Sequence, residues 1–251
     1  MKIAVITGRG LEAFGGIETY VREVYLRLAE SGHKVIIYSY KNDLSSVYSR
    51  NIECRRVPYL NLPHFEILTH SLFSVLDSWL RDVDIICYHG SMAALVSCFP
   101  LKPGIKKVVV FHGLDWRSPI LNGLLRIGMR ISEIIGSRCS NRAIAVSEYL
   151  QSYFMAKYGI NAIYIPPGAT CNDQKPPQKI LKWDLNRDGY ILFLGRLTPE
   201  KGCHLLIQAY QSLNTEMKLV MAGPTAFNFK DSYYRKLRKL SRDDPRVIFT
   251  G

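Results

Sequence analysis

Two stretches have the residue types and spacing to hold an anion. The first is Gly8-Arg9-Gly10-Leu11-Glu12-Ala13-Phe14-Gly15-Gly16, which follows the apolar run KIAVIT (2–7) and leads into a helical pattern. Gly15 and Gly16 stand at the head of that pattern, where unpaired N–H groups and the positive end of the helix dipole favour a negative charge. The second is Gly195-Arg196-Leu197-Thr198-Pro199-Glu200-Lys201-Gly202, between the apolar run YILFL and the pattern CHLLIQAY. Arg196 offers a planar fork of donors and Lys201 a compact charge, a pair suited to a diphosphate. Each stretch has a plainer alternative. The glycines would serve a turn, and the two cations would be solvated residues of a loop.

GRGLEA also fits the dinucleotide fingerprint G-x-G-x-x-[GA] after a strand. Against an NAD-binding Rossmann enzyme, the helical pattern starts only after Gly15-Gly16. The second apolar run closes on Tyr38-Ser39-Tyr40-Lys41, with no carboxylate for a ribose diol.

These stretches need strands and helices to aim them. Nine apolar runs begin at residues 2, 34, 83, 106, 142, 161, 190, 217 and 246, and they are continuous rather than alternating. That pattern marks strands covered on both faces, as in a parallel sheet. Helical patterns lie between them. In GIETYVREVYLRLAESG, Ile17, Val21, Val24 and Leu28 share a face with Tyr20 and Tyr25. Strands alternating with helices predict an α/β doubly wound fold. The aperiodic, proline-bearing stretch 166–189 reads as a linker between a domain at 1–165 and a second at 190–251. The second holds three strand candidates and two helices, half of an ordinary nucleotide-binding domain.

The chain has 251 residues and a net charge of +12, split as 19 Lys/Arg against 13 Asp/Glu in 1–165 and 14 against 8 in 166–251. Such an excess suits anionic partners. No zinc finger or RNA-binding signature is present, which argues against nucleic acid. The six cysteines have no metal-ligand spacing and are expected as reduced, mostly buried thiols. No leader-like or membrane-spanning run is visible, so the expectation is a soluble, cytoplasmic protein. Residues 119–142 combine apolar side chains with Arg126, Arg130, Arg138 and Arg142. A helix of that composition either lies on an anionic membrane surface or packs on the core with its arginines in water.

GGIETYVREVYLRLAESGHKV, FHGLDWRS, AVSEYLQSYFMAKYG, YIPPG, GRLTPEKGCHLLIQAY and DDPRVIFTG, in that order, resemble family 4 glycosyltransferases, with the strongest likeness to a rhamnosyltransferase-like branch. The resemblance implies a GT-B fold of two Rossmann-like parallel-sheet domains facing across a cleft, the second incomplete in this chain. It implies a retaining, metal-independent transferase with no cofactor, moving a hexose or deoxyhexose from a nucleotide-diphosphate sugar to a glycan or lipid-linked acceptor. By position, Arg196, Lys201, Gly15 and Gly16 would hold the donor diphosphate. Gly195 and Gly223 would lie near the nucleotide. His112 would face the sugar beside the reaction centre. Asp115 and Glu18 are weaker candidates for sugar or acceptor contact, and a capping role suits Asp115 equally well. Two departures stand out. No two glutamates have the eight-residue spacing of the family's donor-site acidic pair, and Pro167 replaces the usual Asn. A truncated chain, a split enzyme completed by a partner chain, or a binding module without catalysis would each account for the first.

Overall fold

The computed structural model describes residues 1–7, 15–39, 50–62, 65–99, 101–118, 121, 123–169, 178–225, 232–242 and 244–251. The chain divides into two compact units, Met1–Thr170 and Cys171–Gly251.

The first unit is built on a seven-stranded sheet. Its strands are β1 (Lys2–Ile6), β2 (Lys34–Ser39), β3 (Ile52–Arg56), β4 (Ile85–His89), β5 (Lys106–Phe111), β6 (Arg142–Ala145) and β7 (Ile163–Tyr164). They run parallel in the order β3-β2-β1-β4-β5-β6-β7. Chain order reverses between β1 and β4, and in such sheets ligands bind beyond the carboxyl ends of the strands at that point.

The continuous apolar runs follow from this architecture. Ala4, Ile6, Ile36, Tyr38, Ile86, Tyr88, Val109 and Phe111 face one core, and Ile3, Val5, Val35, Ile37 and Cys87 the other. Helix α1 (Gly16–Glu30) covers the second core with Val21, Tyr25 and Ala29. The first core lies beneath α2 (Glu66–Trp79), the short α3 (Ser91–Ala94), α4 (Gly123–Cys139) and α5 (Glu148–Tyr158). Two of these elements carry no clear sequence signal. In β3 the residues IECRR include a glutamate and two arginines, which suit the solvent-facing edge strand it forms. On α2 the usual pattern is inverted. His70, Ser71, Ser74, Val75 and Ser78 point inward, and Phe73, Leu76 and the following Leu80 point out. The inner hydroxyls donate to carbonyls of their own helix: Ser71 to Ile67, Ser74 to His70 and Ser78 to Val75.

The second unit holds a parallel three-stranded sheet, β8 (Tyr190–Leu194), β9 (Lys218–Ala222) and β10 (Val247–Phe249), in the order β10-β9-β8. Helices α6 (Cys203–Gln211) and α7 (Ser232–Ser241) pack against Leu219, Met221 and Val247 through Ile207, Tyr210, Tyr233 and Leu237. The stretch expected as a linker spans the division at Thr170. Its carboxyl half belongs to the second unit: Leu185 is buried there, and Lys218 Nζ donates to the Asp184 carbonyl and carboxylate at 2.7 and 2.9 Å. The expected mostly buried thiols need correction. Of the five described cysteines, all free, Cys87 and Cys203 are buried, Cys54 and Cys139 half-buried, and Cys98 exposed. Among the described residues no helix is long and apolar enough to cross a membrane.

Candidate functional site

In the first unit the residues of interest gather at the carboxyl ends of β1, β4 and β5. Residues 8–14 of the glycine-rich stretch lie outside the described residues. Gly15 is the extended residue before α1, and the Glu18 carboxylate lies over it, where a Cβ on Gly15 would collide. The Glu18 side chain thus folds back toward its own helix start, without a hydrogen bond or ion pair among the described residues. Gly16, the first residue of α1, is exposed, and a Cβ added there meets nothing within 4 Å. The fold itself places no demand for glycine at that position.

His112 follows Phe111 at the end of β5, as expected, but it is not alone. Its Nε2 lies 3.0 Å from Nδ1 of His89, the last residue of β4, and His89 Nε2 lies 2.8 Å from the Tyr25 hydroxyl on α1. The two imidazoles lie end to end and nearly parallel, with centroids 5.3 Å apart at 27°. Tyr20 presents its ring edge-on to His112 at 5.0 Å, and Tyr25 does so to His89 at 5.5 Å. Burial pushes the conjugate acid of His112 down to about 4. His89 is driven well below the ordinary range by burial and then by its neighbour His112. Both rings are therefore neutral at pH 7. His89 carried no flag in the sequence, yet a signal is present. Tyr88-His89-Gly90 and Phe111-His112-Gly113 repeat aromatic-His-Gly at the ends of two strands that the fold makes neighbours.

Asp115 opens a single 3-10 turn, Asp115–Arg117. Its carboxylate accepts from the Ser91 backbone N–H at 3.1 Å and so ties the loop after β5 to the start of α3. Burial raises its pKa despite that hydrogen bond. Asp115 does not cap its own turn, whose N-cap is Leu114; its carboxylate serves the start of α3 instead. The same turn is pinned from below. Trp116 Nε1–H donates to Glu133 at 3.1 Å, and the wholly buried Glu133 also accepts from Tyr153 and Tyr158 at 2.8 and 2.6 Å. Arg117 and Arg130 sit over the Trp116 ring at 5.2 and 4.2 Å.

In the second unit, Gly195–Gly202 leaves the carboxyl end of β8. Leu197 and Thr198 are buried as anchors, and the Leu197 N–H donates to the Pro224 carbonyl at 2.9 Å. Pro199–Lys201 forms one 3-10 turn, and Gly202 (φ +70°) leads into α6. Arg196 and Lys201 are both exposed, and neither has an ion-pair partner among the described residues. Gly195 and Gly223 meet where β8 and β9 end. A Cβ on Gly223 (φ +137°) would land on the Gly195 carbonyl, so the fold requires glycine there. The structure thus brings Arg196, Lys201, Gly195 and Gly223 to one end of the second sheet. It brings Gly15, Gly16, His112 and Asp115 to one end of the first.

Comparison with known proteins gives the family and the fold. Residues 14–172 match Glycosyltransferase Family 4, and residues 178–249 match Glycosyl transferases group 1. Sucrose-phosphate synthase of Thermosynechococcus elongatus superposes with a TM-score of 0.73 at 18% identity, over 100% of this chain and 70% of its own. The Anabaena protein HepE, solved with UDP and glucose, gives 0.74 at 20% identity, over 100% and 69%. The lipopolysaccharide 1,2-N-acetylglucosaminetransferase of Salmonella typhimurium is 32% identical over 90 residues, 33% of this chain and 24% of that protein. The stretch matched is thus about a quarter of that relative's length. With one family spanning most of the first unit, a related family spanning the second, and two parallel sheets of GT-B type beneath them, the chain belongs to glycosyltransferase family 4.

Proposed function

We propose that this protein transfers a hexose or deoxyhexose, with retention, from a nucleotide-diphosphate sugar to a glycan or lipid-linked acceptor. The observation that carries the reading is the Gly195–Gly202 loop. Buried Leu197 and Thr198 anchor it, and Arg196 and Lys201 on it are exposed, with no ion-pair partner among the described residues. As the anomeric bond breaks, the leaving diphosphate gains negative charge. Fixed cations and backbone N–H groups aimed there stabilise the transition state more than the ground state. Arg196 and Lys201 take that role here, in place of a divalent cation, with the N–H groups at Gly15 and Gly16 as the second anion contact. His112, neutral and held at a strand end, faces the sugar. Gly195 and Gly223 keep the strand ends low beneath the nucleotide. Because HepE was solved with UDP, uridine diphosphate is the first ligand to try. Calorimetric titration with UDP, GDP and dTDP against uridine tests the reading, followed by donor hydrolysis with and without EDTA. Equal affinity for diphosphate and nucleoside, or hydrolysis abolished by EDTA, contradicts it.

One observation favours a second reading, a sugar-nucleotide-binding unit completed by a partner chain. Leu192 and Leu194, on the open face of edge strand β8, are 51% and 78% exposed. Mass photometry decides between a lone chain and a complex.

The acceptor side invites contact with an anionic membrane. Leu124, Ile127 and Ile131 form an exposed stripe on α4 beside exposed Arg126 and Arg130. Phe73 and Leu76 on α2 and Leu80 just after it are further exposed apolar side chains, without basic neighbours on that helix, and α3 packs between α2 and α4. Apolar stripes with basic flanks suit the interface of an anionic bilayer. Flotation with anionic vesicles at low salt tests this, and protein left at the bottom of the gradient removes it.

A further inference from the structure

The pair of imidazoles at the ends of β4 and β5 carries information beyond the identity of His112. His89 is buried on α1's side of the sheet, and both of its ring nitrogens are engaged, Nε2 with Tyr25 and Nδ1 with His112. Two neutral imidazoles can share only one proton across a contact of this length. Two N–H groups would collide, and two lone pairs would repel. The tautomer of His112 is therefore slaved to that of His89, and His89 is in turn set by Tyr25. A phenol is the stronger acid of that pair and an imidazole nitrogen the stronger acceptor. The Cys87 thiol, which also touches the Tyr25 hydroxyl, is kept protonated by burial, which pushes it up to about 11, and is a weak acceptor, so the favoured bond is Tyr25 O–H to His89 Nε2. His89 then carries its proton on Nδ1 and donates it to His112 Nε2. Burial keeps Tyr25 protonated, because it raises the phenol pKa well above its ordinary value.

We propose that His89 is a positioning residue which, through the hydrogen-bonded series Tyr25–His89–His112, fixes His112 as the Nδ1–H tautomer and so makes it a hydrogen-bond donor to substrate rather than a base. The consequence for substrate rests on the reading above, in which His112 faces the sugar. The series itself rests only on the geometry. Among the described residues the His112 ring makes no other hydrogen bond, so Nδ1–H is the group left to present. The ring is held against turning to offer the other nitrogen, because Tyr20 stands edge-on against it and the hydrogen bond from His89 fixes its Nε2 end. His112 is thus aimed by three side chains on two other elements, α1 and β4.

The test uses the full chain labelled with 15N. Long-range proton–nitrogen correlation spectra report which nitrogen of each histidine is protonated, with His112 assigned from a His112→Asn control. The expected wild-type spectrum shows His112 protonated at Nδ1 and bare at Nε2. His89→Phe removes the donor, and His112 then shows averaged tautomers. Asn at position 89 puts an amide N–H where His89 Nδ1–H lies, and restores the wild-type pattern. Tyr25→Phe keeps the ring that packs on α1 and loses only the hydroxyl, so it serves if the His89 variants fold poorly. It too leaves His112 averaged. In donor turnover, His89→Phe lowers kcat about tenfold or more with KM for the nucleotide sugar unchanged, and His89→Asn regains most of the loss. A wild-type His112 protonated at Nε2, or a tautomer identical in every variant, overturns the proposal. A fixed Nδ1–H tautomer in a protein that binds no nucleotide sugar would leave the series standing and sink the functional reading instead.

Discussion

The two strand-end sites of this molecule handle electrostatics in opposite ways. In the first unit the chemistry-bearing groups are histidines withdrawn from water, hydrogen-bonded end to end and walled by two tyrosines. In the second they are an arginine and a lysine standing in solvent on a loop whose apolar residues alone are buried. A buried imidazole gains direction at the cost of its charge, because desolvation favours the neutral form. An exposed guanidinium keeps its charge and waits for an anion to give it direction. One cluster is ordered by the protein itself, and the other, on the proposed reading, would be ordered by its anion.

The strongest way to break this contrast is acid. His70, His89 and His112 are all in the first unit, and burial leads the causes that lower each. Each is neutral in both folded and unfolded chain above pH 6.5. Below that the unfolded chain takes up protons that the folded one refuses, so stability is lost as pH falls from about 6.5 toward about 4. Each histidine contributes up to about 1.4 kcal/mol per pH unit in that window. The second unit has one histidine, His204, half-buried with its ring against the Tyr233 hydroxyl at 2.8 Å. Hydrogen exchange followed by peptide across this pH range should show β4 and β5 opening well before β8 and β9. Simultaneous opening would mean the first site is wetter than its geometry implies.

Next in size is Gly223→Ala. The new Cβ would fall on the Gly195 carbonyl at a backbone angle that L residues rarely adopt. Strain of that kind costs roughly 1–3 kcal/mol before the clash is counted. Chemical denaturation should show a loss of about 3 kcal/mol confined to the second unit, with the first unit's transition unmoved.

Much of this was readable from the sequence, and the exceptions have physical reasons. The strands β1, β2, β4, β5 and β9 announce themselves because both faces are largely buried and the apolar run is unbroken; β8 shows the same unbroken run although Leu192 and Leu194 on one of its faces are exposed. Helix α1 shows its period because a single face is buried. Helix α2 hides, since its inward residues are serines and a histidine and its outward ones are large and apolar, the reverse of the usual code. β3 hides because its edge position lets it carry charge. Within the first site His112 was legible from its motif; His89 shows only a second aromatic-His-Gly that gains meaning once β4 lies beside β5, and Tyr25 shows only its place on a helix face. Their contacts join residues 23 and 64 positions apart, and only the strand order brings β4 beside β5 and under α1. Glu133 was equally silent: three hydrogen bonds from aromatic side chains make it the pin beneath Trp116, and none of them is local in sequence.

Smaller than the glycine effect on stability, but direct on function, is removal of the exposed cations. Arg196→Ala and Lys201→Ala break no ion pair among the described residues, so each should leave the melting temperature nearly unchanged, within about 0.5 kcal/mol. Against a nucleoside diphosphate each removes charge-assisted hydrogen bonds worth roughly 1.5–3 kcal/mol. Calorimetry should therefore show a loss of roughly tenfold or more for UDP with either change and almost none for uridine. A variant that melts early would show the cation to be part of the fold, and the contrast between the two sites would fail at that point.

The finest discrimination comes from the other glycine. Gly223 is glycine because the fold leaves no room for anything else. Gly16 has open space where a Cβ would go and stands at a helix start, where alanine is well tolerated. Folding alone therefore gives no reason for glycine there, and Gly16→Ala should change stability by less than about 0.5 kcal/mol. If the N–H groups at Gly15 and Gly16 approach the donor phosphate, the added methyl enters the space the phosphate must occupy. Diphosphate affinity should then fall several-fold while nucleoside affinity holds. Unchanged affinity for both would make this glycine pair a turn and nothing more. The anion would then be held from the second unit alone, and the hydrogen-bonded histidines would be all that the first unit brings to the chemistry.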